Sequence, residues 1–288
     1  PIHNYPSSSD RYMRIRELLE EKKRITVRDM QEMQLDLLDT RARRQVPSIV
    51  DLLSDSKDNE VVTAVNLLAN WDYVALPNSV ACSIFYLLLA KRWHQEFLTQ
   101  ALERDKHDSS LIRYLAYAPG IQNFSVDDFL GSASPWYGHK QLLTQILEKN
   151  LKEVMQWLTQ ELGSDQTDWQ WQRIHTVSFS HTLQEYETWS HMKFGPDPIG
   201  GTPTTLGMAS HLGEGPFNVL HGPILRMVVD LADPDHTMFV MAGGNSGRHD
   251  SPHSTDQYAL WLSGEYVTVR HQESSLGRLP MSRWHMTS

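Results

Sequence analysis

The spacing of apolar residues changes once along this chain, and that change bounds the folds open to it. Up to residue 165 apolar positions recur at helical spacing, whereas from 166 onward they alternate in short runs broken by Gly and Pro. A chain patterned this way is α+β, with a mainly helical region over 1–165 and an antiparallel β region over 166–288. Asp10 can cap a helix reaching Leu19, with Ile15, Leu18 and Leu19 on one face. Thr26 and Asp29 mark a second helix start, followed by Met30, Met33, Leu37 and Leu38. Helices are further predicted over 60–70, 79–102 and 138–162, the last ending at Gly163 as a C-cap. Between 104 and 137, Pro119, Gly120, Gly131 and Pro135 point to loops and short helices.

In the second region, residues 173–181 alternate with His175, Val177, Phe179 and His181 on one face. Residues 225–231 and 237–241 read as a hairpin joined by Ala232-Asp233-Pro234-Asp235, and 264–269 as one more strand. Composition narrows the function. With 40% apolar and 21% charged residues the chain is globular rather than disordered. Its 26 Lys plus Arg against 35 Asp plus Glu give a net charge of −9, which argues against a nucleic-acid partner. The longest apolar run, 81–90, is too short to span a bilayer. It contains the single cysteine, Cys82, which reads as a core thiol and excludes an intrachain disulfide. The chain begins at Pro1 rather than Met and shows no secretory signal pattern, which points to a piece of something longer.

Three constellations invite chemistry. Among 14 histidines, His249 and His253 are four apart, but Pro252 disfavours the helix that would turn both toward one zinc ion. His175 and His181 read as core or partly exposed histidines. Gly244-Asn245-Ser246-Gly247 lacks one residue of a nucleophile elbow and does not open a helix, so it reads as a tight turn. The secondary amine of Pro1 can serve as a base, yet nothing else supports that role. No phosphate loop or dinucleotide fingerprint is present. Composition and spacing by themselves thus identify no reaction.

Two longer segments do. Asp168-Trp169-Gln170-Trp171-Gln172-Arg173-Ile174-His175, continuing to Phe179 and His181, is similar to the Trp-x-Trp-Gly-x-x-His strand entry of the penicillin acylase family. The second runs from His221-Gly222-Pro223 through Gly243-Gly244-Asn245-Ser246-Gly247, Ser251-Pro252-His253, Asp256-Gln257 and Trp261. It resembles that family's Gly-Gln-Ser-Gly, Ser-Pro-His-Tyr, Asp-Gln and Trp in order and spacing. Asp10-Arg11 with Ile15-Arg16-Glu17-Leu18-Leu19, and Leu67-Leu68 with Trp71-Asp72, add weaker matches. Gln172, Asn245 and Ser254 depart from the usual Gly, Gln and Tyr, and Gly200-Gly201-Thr202-Pro203-Thr204 matches the family's glycine-rich turn only loosely.

The resemblance implies the C-terminal part of the large subunit of an N-terminal nucleophile hydrolase. Both regions would then belong to one incomplete four-layer α/β/β/α sandwich. It also implies export to the periplasm or exterior, a small subunit and the remainder of the large one as partners, and an acylated small molecule as substrate, a β-lactam side chain or an acyl-homoserine lactone. Catalysis in the family uses a Ser hydroxyl activated by its own α-amine and an oxyanion Asn. Both match positions upstream of Asp10-Arg11, so no catalytic residue is expected within this chain and the isolated polypeptide is expected to be inactive. Only Arg11 carries over, as an arginine beside the substrate pocket. No metal residue or cofactor is assigned here, although calcium is possible in the full-length protein. Two other readings stand beside it: a non-catalytic binding or structural relative of the same sandwich, and a zinc hydrolase using His249 and His253.

Overall fold

Helix starts in this chain are set by side chains that accept the open amides of a first turn. In the computed structural model, which describes residues 10–110, 114, 129–131, 135–180, 193–248 and 250–270, several starts have this form. Helix α1 spans Asp10–Glu20. Helix α2 (Val27–Gln34) opens with a capping box, in which Asp29 N donates to Thr26 Oγ1 at 3.2 Å and Thr26 N to Asp29 Oδ2 at 2.8 Å. Asp39 caps α3 (Thr40–Leu53) by accepting from Ala42 N at 2.8 Å. Asp58 caps α4 (Asn59–Ala69) and Ser79 caps α5 (Val80–Ala90). Helix α6 (Trp93–Arg104) and the longest helix, α7 (Lys140–Leu162), lack such caps.

The described residues divide into two compact units, Pro1–Glu17 with Leu37–Gly222, and Leu18–Asp36 with Pro223–Ser288. In the first, the 23 residues of α7 bury Leu142, Ile146, Leu147, Leu151, Val154 and Leu158 along one face. These join Ile49, Leu68, Leu88 and Phe97 in one apolar core that reaches Trp171 and Phe217. The short helix α8 (Trp171–Ile174) leads into a four-stranded sheet formed by β1 (His175–Ser180), β2 (Lys193–Pro198), β3 (Ser210–His211) and β4 (Phe217–His221). The strand order is β2-β1-β4-β3. Strand β1 is antiparallel to β2, with Thr176 opposite Pro198, but parallel to β4, with His175 opposite Phe217.

The second unit holds an antiparallel sheet of β5 (Leu225–Val228), β6 (Thr237–Met241) and β7 (Val267–Val269), with α9 (Tyr258–Ser263) beside β6. Gln34 of α2 donates its amide to the Met227 carbonyl of β5 at 2.9 Å and accepts from the Tyr266 hydroxyl at 2.9 Å. These bonds hold the helix on its own sheet.

Several details differ from the sequence-based expectations. The run over 79–102 is two helices, because Arg92 takes φ 54° and ψ 34° and turns the chain between α5 and α6. Helix α3 has no counterpart in the expectations; Arg41, Arg43 and Arg44 dilute its apolar stripe and Pro47 lies within it. Leu37 and Leu38 fall beyond α2, where Leu38 bridges Val74. The four-stranded sheet is mixed rather than wholly antiparallel. The hairpin of β5 and β6 and the stop at Gly163 are as expected; Gly163 sits at φ 94° with its N–H on the Thr159 carbonyl at 3.0 Å. Pro1, His181, His249, Pro119 and Gly120 lie outside the described residues.

Candidate functional site

The one expected pocket residue, Arg11, occupies the first turn of α1 and is exposed. Its position is set by its neighbour. Asp10 is 1% exposed, accepts from Thr40 Oγ1 at 3.1 Å and pairs with the Arg44 guanidinium, which also donates to the Thr40 carbonyl at 3.2 Å. Two turns on, Glu17 takes charged hydrogen bonds from Arg43 and Arg14. The Arg43 bond first, and the Arg14 bond with it, hold the Glu17 carboxyl below the usual range. The helix is thus fastened to α3 by carboxylates, while Tyr12 and Ile15 remain exposed at 65% and 38%. Arg11, adjacent to a buried anchor, sits on a fixed turn.

A second polar group lies inside the first unit. The Asp39 carboxylate is fully buried and accepts from the Tyr86 hydroxyl at 2.5 Å and from Thr202 Oγ1 at 2.6 Å, besides its capping bond. Thr204 Oγ1 lies 3.2 Å from the Tyr86 hydroxyl. Burial, reinforced by Asp39, pushes the Tyr86 phenol well up, so it donates and does not ionise. The turn bearing these threonines depends on Gly201 at φ 86°, where a Cβ would meet the Gly207 carbonyl at 2.3 Å. Trp171 donates to the Gly201 carbonyl at 3.0 Å and stacks on His175 at 4.3 Å.

His175 is fully buried, with Nδ1 at 2.9 Å from the Ile199 carbonyl and Nε2 at 3.2 Å from that of Ala209. A neutral imidazole has one N–H, so it donates to one of the two. Burial lowers its pKa to about 4 and keeps it neutral. It is a buried core group held between two carbonyls rather than an exposed ligand.

The remaining candidates are scaffolding. A Cβ at Gly244 would meet the His253 carbonyl at 2.1 Å, and Ser246 N donates to that carbonyl at 3.0 Å. Gln257 gives its amide to Asn245 Oδ1 at 2.9 Å and accepts from Met241 N at 2.9 Å. The glycine-rich run and the Asp-Gln pair are therefore halves of one folded loop. Exposed His253 faces Asp256 at 2.8 Å. Cys82 is buried, and burial raises its thiol pKa well above the ordinary value. Among the described residues no three His, Cys, Asp or Glu side chains converge as a metal site, so no calcium ligand is assigned. None of the described helices is long and apolar enough to cross a membrane. Sequence reasoning missed Asp39, Tyr86, Thr202 and Thr204, whose only trace is the polar run after Gly201.

Comparison with known proteins identifies the setting. The solved structure of a thermostable penicillin G acylase from Alcaligenes faecalis superposes with a TM-score of 0.58 at 17% identity, covering 99% of this chain and 53% of that one. The fold is therefore that of the penicillin acylases, an α+β arrangement of helices and sheets. A family description for penicillin amidase matches residues 1–277, and the chain belongs to that family. Curated relatives include the acyl-homoserine lactone acylase QuiP of Pseudomonas aeruginosa, 28% identical over 147 residues, covering 46% of this chain and 17% of that protein. The QuiP protein of Pseudomonas fluorescens is 24% identical over 236 residues, covering 80% of this chain and 28% of that protein. The chain thus spans less than a third of the length of these relatives.

Proposed function

We propose that this chain is the C-terminal part of an amide hydrolase that removes the acyl group from an acyl-homoserine lactone or a similar acylated small molecule. The family match over residues 1–277, with relatives named as acyl-homoserine lactone acylases, carries this reading. In it, a Ser hydroxyl outside this chain attacks the amide carbonyl while its own α-amine takes the proton. The tetrahedral oxyanion collapses, the amine leaves with that proton, and water then cleaves the acyl-enzyme to release the acid. Arg11 helps order the oxyanion Asn and the polar end of the substrate from its fixed turn on α1. The small subunit and the rest of the large subunit supply the acyl pocket. The full-length protein works in the periplasm or outside the cell.

The test uses the full-length polypeptide against a long-chain acyl-homoserine lactone. Arg11→Ala should lower kcat/KM about 100-fold, the magnitude of losing one donor at a developing charge, with the fold intact by circular dichroism. Chain 1–288 by itself should release no homoserine lactone. An unchanged rate removes Arg11 from the site, and turnover by the isolated chain overturns the placement of the nucleophile upstream. A residue other than Ser, Thr or Cys at the start of the large subunit points instead to a non-catalytic relative.

A further inference from the structure

A cavity of about 210 Å³ opens in the first unit, lined from the start of α3, the α5–α6 turn and the β3–β4 turn. Its lining holds two cations, Arg41 and Arg92, and no carboxylate, in a chain whose net charge is −9. Among the described residues neither arginine is ion-paired. The nearby acid, Asp39, is already engaged by Ala42 N, Tyr86 and Thr202. Two imidazoles complete the polar wall. His94 is 8% exposed with no partner on either ring nitrogen, and His211 is 8% exposed with none on Nδ1, among the described residues. Burial drives their pKa values down to about 4 and about 3, so each is neutral; the one N–H of His211 has the Ala209 carbonyl as its acceptor, and the unpartnered ring nitrogens are closed off from solvent. The first turn of α6, next to Arg92, also carries no side-chain cap. The rest of the lining includes apolar Leu89, Leu212 and Phe217.

We propose that this cavity binds a small carboxylic acid with a short apolar tail. The carboxylate is taken by the Arg41 and Arg92 guanidinium groups, with the His94 and His211 rings in the same wall, and the tail lies against Leu89 and Phe217. A planar guanidinium matches a carboxylate in a way a point charge does not. The volume falls below the roughly 300–1,000 Å³ of clefts for drug-sized ligands, which limits the guest to a small acid. Arg11 is not among the lining residues, and the proposal does not rest on the amidase reading.

The experiment is a calorimetric titration of the full chain with hexanoate, hexanamide and inorganic phosphate, alongside NMR of labelled histidine rings. Hexanoate should bind and shift the His94 and His211 ring signals, with hexanamide about tenfold weaker because it lacks the charge. Arg41→Gln and Arg92→Gln should each weaken hexanoate about tenfold. Where Arg41→Gln fails to fold, Arg92→Gly carries the same test at a backbone angle that glycine favours. The proposal is overturned by absence of hexanoate binding, by hexanamide binding as tightly, by phosphate binding where hexanoate does not, or by folded arginine variants that bind like the parent.

Discussion

Asp10 shows how much one side chain can decide. In α1 the buried residue is a carboxylate, while Ile15 and Leu19, the apolar positions that mark this helix in the sequence, are 38% and 42% exposed. Asp10→Ala should destabilise the protein by about 1–3 kcal/mol in urea unfolding, since it strands the Thr40 hydroxyl and removes the buried carboxylate paired with Arg44. A double-mutant cycle with Arg44→Ala should return a coupling of about 1 kcal/mol or more, and additive losses would show that the pair is energetically idle. The buried histidines make a second residue-scale prediction. His94 and His175 have pKa values lowered to about 4 and His211 to about 3, against 6.5 for the free side chain. The unfolded chain therefore binds protons first as pH falls. Stability should be full above about pH 6.5 and decline from there toward pH 4, by up to about 1.4 kcal/mol per pH unit for each histidine. Thermal melts across that range check it, and a flat Tm would contradict the neutral core histidines.

Among elements, those with strong periodicity and local punctuation were legible, and those governed by distant contacts were not. Helix α7 and its stop at Gly163 follow from apolar spacing and a glycine at positive φ. The break between α5 and α6 carries no Gly or Pro, and its cause is the left-handed Arg92. Arg92→Gly should stabilise the protein by about 1 kcal/mol, and Arg92→Ala should give no such gain. The parallel pairing of β1 with β4 was invisible in the sequence because alternation fixes which faces are apolar, not which strand lies alongside. The loop over Gly243-Gly244 was legible as a turn, and the reason for glycine there is the His253 carbonyl. Gly244→Ala should cost at least about 2 kcal/mol, measured by chemical denaturation. Arg11 as a pocket residue rests on the resemblance alone, whereas the polar network around Asp39 unites residues that no local pattern connects.

Over the whole molecule, apolar burial is uneven. The large core belongs to the first unit, whereas the second buries Met33, Val228, Val240 and Trp261. Amides of β5 to β7 should therefore exchange with deuterium well before those of α5 and α7, and equal protection would mean the units unfold together. Strand β5 leaves Leu225 and Met227 exposed at 48% and 49% on one face, with Val229 and Leu231 just beyond at 41% and 88%. Such a patch binds hydrophobic dyes unless something covers it. Finally, the Asp39 carboxylate and the Thr202 hydroxyl that helps seal it stand 163 residues apart. At roughly 5–20 residues per second, a ribosome delivers the second roughly 8–30 s after the first. For that interval the nascent helices hold a charge whose final partner is still unwritten, so translation speed itself decides how long the half-made unit must be kept from aggregating.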